Sequence, residues 1–340
     1  MSKVYINSIK QISAQQPLVD NWIEQPVFYS EPYIRAIEPD YKLFFTSNEA
    51  RRLGKILKRA LVVSRQAMLE SEVISLDAII TSTGLGCIEN TEIFLDKLVR
   101  EGEELLNPTH FMQSTHNTIS SLIAIDVKCK LYNSTYAHKG ISFECALQDA
   151  FIQLKTNKAQ NVLVGAHDEM TPAYYTLLKK AGYFGNKNQK FASETAVAMI
   201  LSTDKSEKTL CEIEAVEKLY NSNAETLYAT FLQATDIDYI MVGCNGDAET
   251  DKIYFENCAK LFPNIPLLQY KNIFGESYTV PALGVYAAAI CLQHNKIPDF
   301  LTCDMRNSMC DKSQIPNPIS KILCYNHFEG KNHTFVLIKK

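Results

Sequence analysis

An α/β fold with buried sheets is predicted by two features of the hydrophobic pattern. Apolar runs at Ala78–Thr83, Val162–Val164, Ala196–Ser202, Tyr239–Val242 and Thr334–Ile338 read as strands covered on both faces. Between them, apolar residues recur at helical spacing, as in Phe143, Ala146, Leu147, Ala150, Phe151 and Leu154. Helices alternating with such strands belong to mixed α/β architecture. With 340 residues, 46% of them hydrophobic, the chain can bury a sizeable core as one large domain or two halves.

In chain order, Val4 to Ile6 reads as an entry strand, followed by an irregular stretch rich in Pro, Tyr and polar residues. Asn48 to Glu70 reads as one helix with Asn48 as its cap and Leu53, Ile56, Leu57, Ala60 and Leu61 as its apolar face. The strand Ala78–Thr83 leads into Gly84-Leu85-Gly86, a strand-to-helix turn; it lacks both the dinucleotide fingerprint and a P-loop lysine. A helix is expected near Glu92 to Glu101. In the run from Asn107 to Asp126, His116 and Asn117 sit at the start of a further helix beside Ile119, Leu122, Ile123 and Ile125. The polar stretch Thr203 to Lys208 marks the joint between an N-terminal half, 1–205, and a C-terminal half, 206–340.

The segment from Asn133 to Glu169 is the most informative. A short extended run, Asn133 to Tyr136, turns at Gly140 into a helix near 140–155, and the apolar run Asn161 to Ala166 follows. At such a turn a nucleophile would sit where free backbone N–H groups and the helix dipole lower a thiol pKa. Glycine stands there instead.

Composition excludes several classes. The net charge of −4, with no long Lys/Arg run, argues against a nucleic-acid partner. No apolar run reaches the roughly 20 residues that span a bilayer, and the N-terminus lacks a signal-type apolar stretch, so a cytoplasmic location is expected. The ten cysteines have no CxxC pairing and no histidines at ligand spacing, which argues against a metal site. They are expected to be buried reduced thiols. Cys145, in the elbow helix, and Cys244, beside Gly243, are the two to weigh as displaced nucleophiles, although a working thiolate needs a base nearby.

Four segments in order, from about Asp77 to the C-terminus, resemble the β-ketoacyl synthases of the thiolase fold. Laying Asn133, Thr135, Ala146, Leu147 and Ala150 on that family's pattern puts its catalytic cysteine at Gly140. IDYIMVGCNGDAETDKIYFENCAKLF resembles the first histidine loop, with Gly246 and Asp251 kept and Gly243 at the histidine position. KNIFGESYTVPALGVYAAAICLQHNKIP resembles the loop of the catalytic lysine and second histidine; Lys271 and Gly275 match, and Glu276 replaces the histidine. YNHFEGKNHTFVLIKK resembles the gating loop and last strand, with Phe328, Gly330 and Asn332 retained.

The resemblance implies two similar α/β halves in a layered αβαβα core, with no cofactor. Condensation needs a thiolate and two imidazoles, and glycine supplies neither. No catalytic residue is therefore expected. The loss implies a chain-length-factor-like subunit, paired with an active ketosynthase or with itself, in carrier-protein-dependent polyene, polyketide or fatty-acid-like synthesis, with aryl polyene or flexirubin-type pathways suggested. The alternatives are an active synthase or acyltransferase using atypical residues and a homodimeric scaffold or acyl-binding protein. Two readings stand for Arg51, Arg52, Lys55 and Arg59, with Lys58 and Arg65: a solvated helix face, or a docking face for acidic acyl carrier protein. His116 and Asn117 line either a tunnel at the subunit interface or an ordinary helix start. Lys271 either supports chemistry or pairs with Glu276 or Asp251.

Overall fold

In the computed structural model, residues 2–103, 106, 108–184, 190–220, 236–303 and 318–340 are described; Asn107 and Cys310 lie outside them. Ten strands form one sheet: β1 (Val4–Ile12), β2 (Ala78–Ser82), β3 (Tyr132–Tyr136), β4 (Asn161–Asp168), β5 (Thr195–Ser202), β6 (Cys211–Tyr220), β7 (Tyr239–Val242), β8 (Leu267–Gln269), β9 (Lys321–Phe328) and β10 (Asn332–Lys339). Their order, β3-β2-β4-β5-β1-β6-β10-β9-β7-β8, is a palindrome in topology. In each half the first strand lies innermost, the fifth pairs with it and with the fourth antiparallel or bridges to them so, and the second and third continue outward in parallel. This internal two-fold, invisible as sequence repetition, is the two-halved architecture the resemblance implied. The halves join where β1 meets β6, through Val4↔Ile213, Tyr5↔Glu212 and Ile6↔Cys211. Residues 203–210 connect β5 to β6.

Strand alternation distributes side chains between layers. In β5, Val197, Met199 and Leu201 face a central core, whereas Ala196, Ala198 and Ile200 face an outer one. In β10, Val336 and Ile338 face the centre, and Phe335 and Leu337 face a second outer core. The central core contains helices α6 (Ser142–Lys155) and α10 (Pro281–His294). Alpha10 is apolar nearly all round and starts with Pro281 at a first-turn position, where its missing N–H costs nothing.

The outer layer of the first half is α2 (Lys55–Ser71) with α5 (Thr118–Asp126). Helices α3 (Ile88–Glu101), α4 (Pro108–Ser114) and α7 (Pro172–Lys180) complete that half. The second half is covered by α8 (Ala248–Leu261), capped by Asp247, whose side chain accepts from the Thr250 amide at 3.0 Å. A short α9 (Lys271–Phe274) precedes α10.

Several expectations are corrected. The entry strand runs on to Ile12, and Ile9 and Ile12 are buried. The single helix expected from Asn48 is broken at Leu53–Gly54 into α1 (Ser47–Arg52) and α2. The cap of α1 is Thr46, in a capping box with Glu49, rather than Asn48. Asn117 stands at the start of α5 but makes no capping hydrogen bond.

Candidate functional site

The elbow forms as expected in outline. Beta3 ends at Tyr136, a short 3-10 turn spans Lys139–Ile141, and α6 starts at Ser142, whose hydroxyl accepts from the His138 amide at 2.7 Å. Gly140 lines a cavity of about 220 Å³ between the halves, together with Lys271, Glu276, Phe328, Asn326 and His327. Gly243 lies just behind its wall: a Cβ there would meet Tyr254 Oη at 2.6 Å and Asn326 Oδ1 at 3.2 Å. A Cβ on Gly140 would meet Phe328 Cδ2 at 2.4 Å. The space beside both glycines is therefore filled by aromatic side chains.

Lys271 is almost fully buried, and its Nζ donates to both oxygens of Glu276, at 3.0 and 2.8 Å. The pairing partner is thus Glu276. Asp251 instead accepts from the amides of Asn245 and Gly246, at 2.9 and 3.0 Å, holding the loop after β7. Burial raises the Asp251 pKa against the pull of those amides. Gly275 adopts φ +75° and a Cβ there would sit 2.6 Å from Phe191 and Ser193, so glycine is required on both counts.

Phe328, Gly330 and Asn332 belong to a tight hairpin: β9 ends at Phe328, Glu329 and Gly330 both have positive φ, and β10 starts at Asn332. The Lys331 amide closes the turn on the Phe328 carbonyl at 3.2 Å. The segment that resembles the family's gating loop and last strand forms a strand end, a turn and β10.

Four residues with roles here were not singled out from sequence. Tyr254 Oη donates to Asn326 Oδ1 at 3.0 Å and accepts from the His327 amide at 3.1 Å. Asn326 Nδ2 donates to the Gly140 carbonyl at 3.0 Å and to Glu144 Oε1 at 2.8 Å. His327 is the imidazole of this cavity, but both its nitrogens are engaged. Nε2 donates to the Thr250 carbonyl at 3.0 Å and Nδ1 accepts from the Gly330 amide at 3.3 Å. Burial lowers its pKa to about 4, so the ring is neutral at physiological pH. A usable signal was present in the sequence: polar Asn326 and His327 interrupt an otherwise apolar strand.

No cysteine among the described residues lines the cavity. Cys145 points toward β6, where Lys218 Nζ lies 3.2 Å from its sulfur, and burial raises its pKa. Cys244 is buried, and its pKa is raised first by its hydrogen bond with Cys303 and then by burial. The chemistry of acyl capture needs an accessible low-pKa thiol, and neither qualifies.

Other expected site residues lie elsewhere. His116 and Asn117 are exposed and are not among the residues lining the cavity. Arg51 and Arg52 are exposed and Lys55 is half-buried, but Arg59 is only 1% exposed. Its Nη2 bonds Glu38 Oε1 at 2.6 Å and Glu194 Oε2 at 2.8 Å, so Arg59 is withdrawn from any docking face. Arg65 is likewise held by Asp126, at 2.5 Å. Among the described residues no group of three or more His, Cys, Asp or Glu could hold a metal ion, and no helix is long and apolar enough to cross a membrane.

Residues 38–242 match the family model described as the β-ketoacyl synthase N-terminal domain. The chain belongs to the β-ketoacyl synthase family. Three solved structures show the same fold over the full length of this ketosynthase-family chain. The ishigamide ketosynthase/chain length factor superposes with a TM-score of 0.83 at 14% identity, covering 100% of this chain and 99% of that one. A β-ketoacyl synthase from Burkholderia phymatum STM815 gives 0.80 at 13% identity, covering 100% of each chain. A type II polyketide ketosynthase described as AntDE:AntF, in complex with its acyl-carrier protein and bound to the hexaketide, gives 0.78 at 13% identity, covering 100% and 99%. No curated protein matches the chain.

Proposed function

We propose that this chain is a catalytically degenerate ketosynthase homologue that acts as a chain-length-factor-like subunit beside an active ketosynthase, in carrier-protein-dependent polyene, polyketide or fatty-acid-like synthesis. The observation that carries this reading is that Gly140 and Glu276 line one cavity, with Gly243 just behind its wall, and that Phe328 and Tyr254 fill the space beside the two glycines. A thiolate has no place to form there, and the one imidazole, His327, has both nitrogens committed.

A partner surface supports the subunit role. Beta3 lies at the end of the sheet. At and beside it Ile125, Leu131 and Tyr132 are large apolar side chains that stand exposed, as do Phe111 and Met112 on α4, which packs on α5. Similarity to a ketosynthase/chain length factor, and to a ketosynthase held with its acyl-carrier protein, favours the same class of partners. Arg51 and Arg52 remain available to an acidic carrier.

The test is reconstitution with the ketosynthase encoded nearest to this chain. Incubated alone with a radiolabelled acyl-carrier thioester, the chain should take up no covalent label. Mixed with the ketosynthase it should co-purify and change the length of the product. Stable labelling of the chain alone would overturn the noncatalytic reading, and failure to associate would overturn the subunit reading. Leu131→Asp with Tyr132→Asp should abolish association while leaving the fold intact.

A further inference from the structure

Behind the elbow, Glu144 lies in the central layer at 2% exposure, a charged residue type inside the buried face of α6. Its Oε1 accepts from Asn326 Nδ2 and from Thr334 Oγ1, both at 2.8 Å. Its Oε2 has no protein partner. Buried polar atoms without a partner are uncommon and call for an occupant. Beside it is a void of about 10 Å³, lined by Phe143, Met241, Tyr270, Cys324 and Asn326 among others. That volume admits about one water-sized sphere. Tyr270 and Cys324 both line this void, and the Cys324 thiol lies 3.9 Å from the Gly284 carbonyl, also on its wall.

We propose that this void is a single-water site, in which one buried water binds Glu144 Oε2 and is completed by the Tyr270 hydroxyl and the Cys324 thiol. Burial pushes the Glu144 pKa up, against the hydrogen bonds from Thr334 and Asn326 and the charge of Lys271. Oε2 is the buried polar atom that the water satisfies. Asn326 Nδ2 bonds both Glu144 and the Gly140 carbonyl, so the hydrated carboxyl anchors the elbow turn to β9 of the second half. A sodium or potassium ion also fits by size, and the structures below distinguish it from water.

Crystal structures of the parent chain and of Glu144→Met and Glu144→Gln decide the question. The parent and the Gln variant should each show one water roughly 2.7–3.0 Å from the carboxyl or amide. The Met side chain should fill the void and exclude it. In Glu144→Met, amide hydrogen exchange at the elbow turn, residues 139–143, should speed several-fold while exchange in α2 stays at the parent rate. An empty void in the parent would overturn the proposal, as would density whose occupancy follows sodium or potassium concentration, or unchanged exchange at the turn. Should Glu144→Met not fold, the parent and Glu144→Gln structures carry the test.

Discussion

The two glycine positions at and behind the cavity, called the floor here, and the charged wall differ in what fills the space beside them. At the floor, Gly140 and Gly243 have no side chains, and Phe328 and Tyr254 approach within 2.4 and 2.6 Å of where a Cβ would stand. At the wall, Glu276 keeps a charge, and Lys271 neutralises it at 2.8 Å. The floor is a problem of volume, so adding atoms should harm it. The wall is a problem of charge, so removing one partner should harm it.

The largest effect is expected at the wall. Lys271→Met leaves a largely buried carboxylate unpaired and should cost about 3 kcal/mol, the lower end of what breaking a buried ion pair costs, because Glu276 keeps some solvent. Adding Glu276→Gln should return most of that, as read by urea denaturation. A single variant as stable as the parent would erase the distinction between wall and floor.

His327 sharpens the comparison through pH. Its folded pKa of about 4 lies below the unfolded value near 6.5, so the unfolded chain binds the proton more readily. Its contribution is complete above pH 6.5 and is lost as pH falls toward 4, by roughly 3 kcal/mol at most. Buried His167, with a pKa lowered to about 3, acts in the same direction, whereas Glu169, raised to about 7, loses its contribution as pH rises toward 7. The difference between the parent and His327→Asn across that window therefore isolates the one ring. Parallel curves for the two chains would show that the ring titrates freely.

At the floor, Gly140→Cys adds a thiol where the resemblance places the family's nucleophile but crowds Phe328. Overpacking of this kind should cost about 1–3 kcal/mol and bring no acyl labelling. Phe328→Ala in the same chain should relieve much of the cost. If Gly140→Cys were neutral on its own, the infilling of the floor would be refuted.

The smallest effect lies outside the cavity. Arg51→Glu with Arg52→Glu should change stability by no more than about 0.5 kcal/mol, since both are exposed. Carrier-protein affinity should nevertheless fall, and fall less as salt is raised. Unchanged affinity would remove this face from the docking model.

Much of this was legible in the sequence because it depends on local pattern. The elbow helix, the strands rich in Val, Ile and Leu, and the order of the four family-like segments all follow from spacing along the chain. Beta6 was missed for a physical reason: a register shift opposite Leu337/Ile338 places Ile213 and Val216 on the same face three residues apart, which hides the period of two. Arg59 was misread because a basic stripe resembles a solvated face. Yet it follows Ile56 by three residues and precedes Val63 by four, which turns it inward, where only Glu38 and Glu194, distant in sequence, make its burial tolerable. Glu144, Tyr254 and Asn326 form a polar hub through contacts between halves, and no local pattern announces such partners.

The placement of β1 sets the order in which this protein can be completed as it leaves the ribosome. Beta1 pairs Tyr5 with Ser202 on one side and with Glu212 on the other, so once made it must wait for most of the first half and the start of the second. Until then both its edges are open, beside a chain of buried-type strands. Closing such distant pairs is slow and leaves apolar edges exposed to other chains.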